Sequence, residues 1–151
     1  MKYIIVVIFL TTLYNSAFTQ KIKIKDEVAS VDGVPFLKWE KRGSLEISIF
    51  GINSTEEEIY AMWLDYTDPT KITKSNPEGK VRWIELNFLT LNKKCEIDTR
   101  GYKGLVKFIY DNKIYVDNVL NTENIDKVIS KYGMRYSQNR PGGNVNIYIN
   151  N

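Results

Sequence analysis

The sequence predicts an α+β domain: a mostly antiparallel sheet, two C-terminal helices on one face, and a final C-terminal strand. Three observations predict it. Up to Ile97 the apolar residues alternate with polar ones, the period of a half-buried strand. Turn residues punctuate that alternation at Asp32-Gly33, Gly43-Ser44, Gly51–Ser54 and Asn76-Pro77-Glu78-Gly79. From Tyr102 to Tyr132 the apolar spacing becomes helical, and at Val145 it returns to alternation. Strands first, then helices, then one strand is the order of an α+β fold.

The stretch Val81–Leu91 organises the rest. Ile84, Leu86 and Phe88 alternate with Glu85 and Asn87, which reads as the longest strand of the sheet. Taken in order, Lys21–Lys25 alternates strictly, with Ile22 and Ile24 inward and the lysines outward. Lysines on a first strand discourage edge-to-edge association. Val28–Val31 follows. Asp32-Gly33 then marks a tight hairpin, because a type I′ turn needs positive φ at both central residues. Phe36–Lys41 is the return strand, with Pro35 at its start. Leu45, Ile47 and Ile49 form the next inward face, with Glu46 and Ser48 outward.

Glu57–Thr67 supports two readings. As a strand, it places Tyr60, Met62, Leu64 and Tyr66 on one face. As a helix, it aligns Ile59, Met62, Trp63 and Tyr66, with Ser54 and Glu57 as a capping box. The strand is preferred, because Val81–Leu91 can pair back against it after the Asp68-Pro69 break. The long connection Asp68–Lys80 is what favours the helix. Lys93–Ile97 is a further short strand.

Tyr102, Leu105, Val106, Ile109 and Tyr110 recur at helical spacing. Ile114–Val116 is a short extended piece, and Asp117-Asn118 a turn. The second helix is capped by Asn121 or Thr122. It carries Ile125, Val128, Ile129 and Tyr132 on one stripe, a Glu123–Lys127 pair in the favourable order, and Gly133 as its stop. Asn139–Asn144 is a loop. Val145, Ile147 and Ile149 alternate with Asn146, Tyr148 and Asn150 in the last strand.

The chain has 151 residues, one cysteine and no histidine. The length suits one domain. The N-terminus reads as a secretory signal peptide, residues 1–19: Lys2, the apolar run Tyr3–Leu10, and the small residues Ala17 and Thr19 before a cut at Gln20. A spanning helix needs about 20 apolar residues, and Thr11, Thr12, Asn15 and Ser16 interrupt this run. Residues 20–151 then form a single domain with no stable membrane insertion.

Without histidine, Ser-His-Asp and Cys-His catalysis and His-ligated zinc are excluded. With Cys95 alone, an intramolecular disulfide and a Cys-rich metal site are excluded too. A net charge of +3, evenly spread, points to no nucleic-acid partner. No cofactor motif is present. Arg140–Asn144 precedes a strand instead of a helix, so it fails as a phosphate loop.

The blocks VDGVPFLKWE (Val31–Glu40), SNPEGKVRWIELNF (Ser75–Phe88), GLVKFIYDN (Gly104–Asn112) and RPGGNVNIYIN (Arg140–Asn150) resemble small exported proteins of unknown function from Bacteroidota. The resemblance covers nearly all of the chain after residue 19. It implies export, to the periplasm or beyond, and supplies no functional residue.

The candidate site is a pair of echoes. Trp63 and Asp65 stand at i, i+2, and so do Trp83 and Glu85. If the two strands pair in even register, all four share the face opposite Ile84, Leu86 and Phe88. Two indoles beside two carboxylates would make a platform for a sugar, a cationic group or a partner's arginine. The competing reading buries both indoles in the core. A second candidate clusters Asp65, Asp68 and Glu85 as catalytic carboxylates, as in glycoside hydrolysis. The expected function is a non-enzymatic binding domain of the envelope or extracellular space, taking a protein or an envelope glycan. A small carboxylate-dependent hydrolase and an inhibitor or immunity-type protein are the alternatives.

Overall fold

The computed structural model describes residues 20–140. The expected signal peptide and the expected strand at Val145–Ile149 lie outside the described residues. Seven strands form one sheet in simple sequence order, each antiparallel to the next. They are β1 (Ile22–Lys25), β2 (Val28–Val31), β3 (Val34–Lys41), β4 (Glu46–Gly51), β5 (Ile59–Thr67), β6 (Lys80–Phe88) and β7 (Lys93–Ile97). Helix α1 (Gly101–Asp111) follows, then a small hairpin of β8 (Tyr115–Val116) and β9 (Val119–Leu120), helix α2 (Thr122–Tyr132), and one further turn, α3 (Arg135–Gln138).

The tight turns carry the chemistry their φ values demand. Asp32 and Gly33 are both at positive φ, as the hairpin requires. So are Asp117 and Asn118 between β8 and β9, and Asp26 and Glu27 between β1 and β2. The last turn has no glycine or asparagine to announce it. The stretch that supported two readings is a strand over Ile59–Thr67, with nine residue pairs between β5 and β6. The long connection that favoured a helix is instead a folded loop. Asp68 caps a 3-10 turn at Pro69–Lys71, and the Asn76 side chain bonds the backbone of Lys71 and Lys80. Gly79 closes it at φ +64, where a Cβ would stand 2.4 Å from the Asp68 carbonyl oxygen.

One face of the sheet carries the main core. Leu37, Ile47, Ile49, Ile59, Ala61, Ile84, Leu86, Phe88, Cys95 and Ile97 pack in one cluster with Leu105, Val106 and Ile109 of α1 and Ile125 and Val128 of α2. We call this the helix face. A bulge between Ala29 and Ser30 interrupts the β2–β3 register. It re-aims Phe36, which meets Tyr110 and Tyr115 edge-on at 5.2 and 6.2 Å. Asn121 is the cap of α2, its side chain accepting from the Asn124 N–H at 2.9 Å. Gly133, at φ +54, ends that helix.

Two expectations about β4 are corrected. Leu45 is 44% exposed and lies just before the strand, while Ser48 is fully buried. Ser48 points away from the helix face, as its alternation requires. It is buried because its hydroxyl accepts from Arg42 Nε at 2.8 Å and donates to Glu57 Oε1 at 2.7 Å. Both hydrogen-bonding functions are used, so the desolvation of the hydroxyl is compensated.

The opposite face is not bare. After α2 the Gly133 carbonyl accepts from the Glu96 N–H at 2.8 Å, on the outer edge of β7. The chain then turns onto the second face. There the buried Glu96 carboxylate accepts from the N–H groups of Tyr136, at 2.6 Å, and Ser137. Position α3 exists because a carboxylate from β7 satisfies its orphan N-terminal donors.

Candidate functional site

The register of β5 and β6 decides the fate of the paired Trp–carboxylate platform. Trp63 stands opposite Ile84 and Leu64 opposite Trp83. Opposed residues in an antiparallel pair share a face. Trp63 and Asp65 are therefore on the helix face, and Trp83 and Glu85 are on the other. The even register that would have gathered all four is not formed. The sequence left that choice open because β5 is apolar on both sides: Ala61 and Trp63 on one, Met62 and Leu64 on the other. A one-residue slip would exchange two equally plausible faces.

On the second face, Trp83 is 2% exposed. Tyr136 stacks on it at 5.7 Å with an interplanar angle of 11°, and Tyr66 meets it edge-on at 5.6 Å. The Arg140 guanidinium lies 5.7 Å from the ring centres of both Trp83 and Tyr66. The chain's own arginine lies over this indole, within cation–π distance. Glu85 pairs with Lys94 at 3.0 Å.

On the helix face, Trp63 has neighbours that the sequence reading did not assign to a site. Tyr102, on the first turn of α1, lies between two indoles. It is 5.0 Å from Trp63, edge-on, and 4.7 Å from Trp39, tilted by 40°. Lys41 Nζ stands 5.8 Å from the Tyr102 ring centre. Trp39, Trp63 and Tyr102 are all half-buried. Asp65 adjoins them on the same face and sits 4.0 Å from Arg82 Nε. Trp39 Nε1 is buried with no hydrogen-bond partner.

The cluster is built by row and spacing. Trp39 is opposite Ile49, which is opposite Ile59; Ala61 stands opposite Ile47 in the next row, and Trp63 in the one after. The small Ala61 between the two indole rows leaves space for a ring from above. Tyr102 can be brought there because α1 starts close to the strand end. Gly104 lets the helix approach Thr99, whose Oγ1 would be 2.3 Å from a Cβ at that position. Trp39 alternates with Leu37 on β3, and its meeting with Tyr102 is a tertiary fact.

The carboxylates expected to cluster do not. Asp65 and Glu85 are on opposite faces. Asp68 accepts from the Thr70 hydroxyl at 2.7 Å and the Thr70 N–H at 2.9 Å, and those bonds hold its carboxyl below the usual range. Among the described residues no group of three or more Asp, Glu or Cys side chains is placed to hold a metal ion. Cys95 is fully buried, and burial, aided by Glu96 and Glu85, pushes its thiol up to about 12. A thiol so placed is not a nucleophile at neutral pH. No helix among the described residues is long and apolar enough to cross a membrane.

No family model, no curated protein and no solved structure matches the chain.

Proposed function

We propose that this protein is an exported, non-enzymatic binding domain. The rim formed by Trp39, Trp63 and Tyr102, with Asp65 and Arg82 beside it, is its contact surface. The observation that supports this reading is the gathering of three half-exposed aromatic side chains from two strands and a helix at one edge of the core. Aromatic edges and faces take up sugar C–H surfaces or a partner's apolar side chains. The adjacent carboxylate and guanidinium supply hydrogen bonds that fix orientation. The partner is a protein or a glycan of the cell envelope. Export is carried by the arrangement of Lys2, Tyr3–Leu10 and Ala17–Thr19.

The test is capture of envelope components on immobilised protein. Wild type is compared with Asp65→Asn and Trp63→Ala, each checked for folding by near-UV circular dichroism. A component retained by wild type and lost by folded variants supports the rim. Equal retention by all three proteins would overturn it. The mass of the exported chain in its native cell, starting at Gln20 or retaining residues 1–19, decides the export reading separately.

A further inference from the structure

Strands β2, β3 and β4 carry a concavity of about 280 Å³ on the second face of the sheet. Val28 stands opposite Lys38, and Lys38 opposite Phe50, so these three share that face. Val28 and Phe50 supply its apolar lining, and Phe50 is 8% exposed. Two hydrogen bonds hold its sides. On one side the Glu27 carbonyl accepts from the Trp39 N–H at 2.9 Å, which fixes the β1–β2 turn against β3. On the other, Lys38 Nζ donates to the Ser54 carbonyl at 2.6 Å, which fixes the β4–β5 loop. The Lys38 ammonium is thereby engaged by the protein itself.

The rest of the lining is acidic. Asp26, Glu27 and Glu40 border the same concavity. Lys25 lies 3.4 Å from Asp26, and Arg42 lies 3.5 Å from Glu40. Both are exposed pairs, which neutralise a carboxylate only weakly. The backbone beneath the first two acids is unusual. Asp26 and Glu27 stand at φ 50 and φ 63. That left-handed region suits Gly and Asn, and a side chain as long as Glu is disfavoured there. Asn-Gly would make the better turn. The chain instead places two carboxylates at the lip of a concavity, at a cost in backbone strain. Strain held beside a cavity points to a binding position.

We infer that this concavity binds an organic cation, a guanidinium or primary ammonium carried on an apolar stem. The stem packs on Val28 and Phe50. The cationic head meets the carboxylates of Asp26, Glu27 and Glu40. The volume lies near the lower end for small-molecule pockets, about 300 Å³. It therefore takes one side chain or one small amine, and not an extended glycan. Two sources carry this chemistry: an arginine or lysine side chain of a peptide, and a free alkyl amine. The site is independent of the aromatic rim proposed above, which is on the helix face.

Amide NMR of the isotope-labelled protein tests it. The probes are n-butylguanidinium, a blocked tripeptide with a central arginine, and n-butylurea as the neutral isostere. The expected result is movement of the Glu27, Val28 and Glu40 amides that saturates at millimolar cation, while the rim amides of Asp65 and Tyr102 stay still. n-Butylurea should bind more weakly. Glu27→Gln keeps the side-chain length and the φ preference and removes only the charge. It should weaken n-butylguanidinium about twofold to fivefold, the worth of one exposed ion pair. Glu40→Gln on β3 is a second such variant. Glu56→Gln makes the same charge change at an exposed residue outside the concavity and should leave the affinity unchanged. Binding of the tripeptide assigns a peptide side chain as the source, and binding of the small cation alone assigns a free amine. No saturable movement with either cation would overturn the inference. So would n-butylurea binding as tightly as n-butylguanidinium, losses in the Glu27 and Glu40 variants no larger than in Glu56→Gln, or movement confined to the rim amides.

Discussion

Glu96 and Glu85 are directly opposed in adjacent strands, yet neither carboxylate faces the other's charge unrelieved. Glu85 turns to Lys94 at 3.0 Å. Glu96 turns to the N-terminus of α3, where the N–H groups of Tyr136 and Ser137 satisfy it. Like charges opposed across a ladder are destabilising, and this pair is tolerated because each has a different partner. The arrangement ties the sheet edge to the segment that covers Trp83.

Replacing Glu96 by Ala should therefore do more than remove a charge. It leaves the N–H groups of Tyr136 and Ser137 without their acceptor and frees α3 from β7. Hydrogen bonds to a charged acceptor contribute about 1.5–3 kcal/mol each, without full additivity, so a loss of about 2–4 kcal/mol is expected in urea unfolding. Glu96→Gln keeps one acceptor oxygen and should lose less. The same variants should weaken the near-UV signal of the Trp83–Tyr136 stack. An unchanged signal would mean α3 is positioned without Glu96.

Tyr115 donates to Glu58 Oε2 at 2.9 Å, and the same oxygen accepts from the Gly51 N–H at 2.7 Å. The bond fastens the β8–β9 hairpin to the end of β4. Tyr115→Phe should cost about 1.5–3 kcal/mol, the range for a bond to a charged acceptor. The ring stays in place, so its contact with Phe36 is kept. Glu58→Ala removes both bonds and should cost more than Tyr115→Phe. Equal costs in denaturant titrations would show that the Gly51 contact contributes nothing.

Much of this fold is legible in the sequence, and the limits have physical causes. Period-2 alternation gave the strands, and Asn121 and Gly133 gave the bounds of α2, because these are local preferences of the backbone. The β5–β6 register was not legible. Trp63 and Leu64 are both apolar, so alternation assigns neither to the core. Position α3 was missed because its donors are satisfied by Glu96, some forty residues earlier, and no local cap marks it. The rim of Trp39, Trp63 and Tyr102 was half legible. Trp63 and Asp65 were singled out, but their partners arrive from β3 and α1. Trp83 and Glu85, read as part of the same platform, belong to the other face.

Gly104 offers a separable test of close packing. Gly-to-Ala in a helix normally stabilises by up to about 1 kcal/mol. Here the new Cβ would meet Thr99 Oγ1 at 2.3 Å. Gly104→Ala alone should destabilise, or at best be neutral as Thr99 rotates. Thr99→Ala with Gly104→Ala should recover the helix gain. A double-mutant cycle reads the coupling directly. Purely additive effects would show that the helix start shifts freely and that Tyr102 is not held by this approach.

Stability should fall on the alkaline side. Burial and Glu46 push the Tyr60 phenol up to about 12, burial and Glu58 push the Tyr115 phenol higher still, and burial pushes the Cys95 thiol up to about 12. In each case the folded state holds the proton more tightly than the unfolded chain. Stability from these groups is complete below their unfolded values, near 9 for the thiol and near 10 for the phenols. Above those values the unfolded state sheds protons that the folded state keeps, so unfolding becomes easier as pH rises. The loss therefore begins near pH 9 with Cys95, steepens above 10 as the tyrosines join, and the Cys95 and Tyr60 contributions end near 12. Urea midpoints measured from pH 7 to 11 check this. Cys95→Ala should remove the part that starts between pH 9 and 10 while leaving the tyrosine part above 10. If the variant's curve falls in parallel with wild type from pH 9, the thiol is not protected by burial, and Cys95 is more accessible than its place under α2 implies.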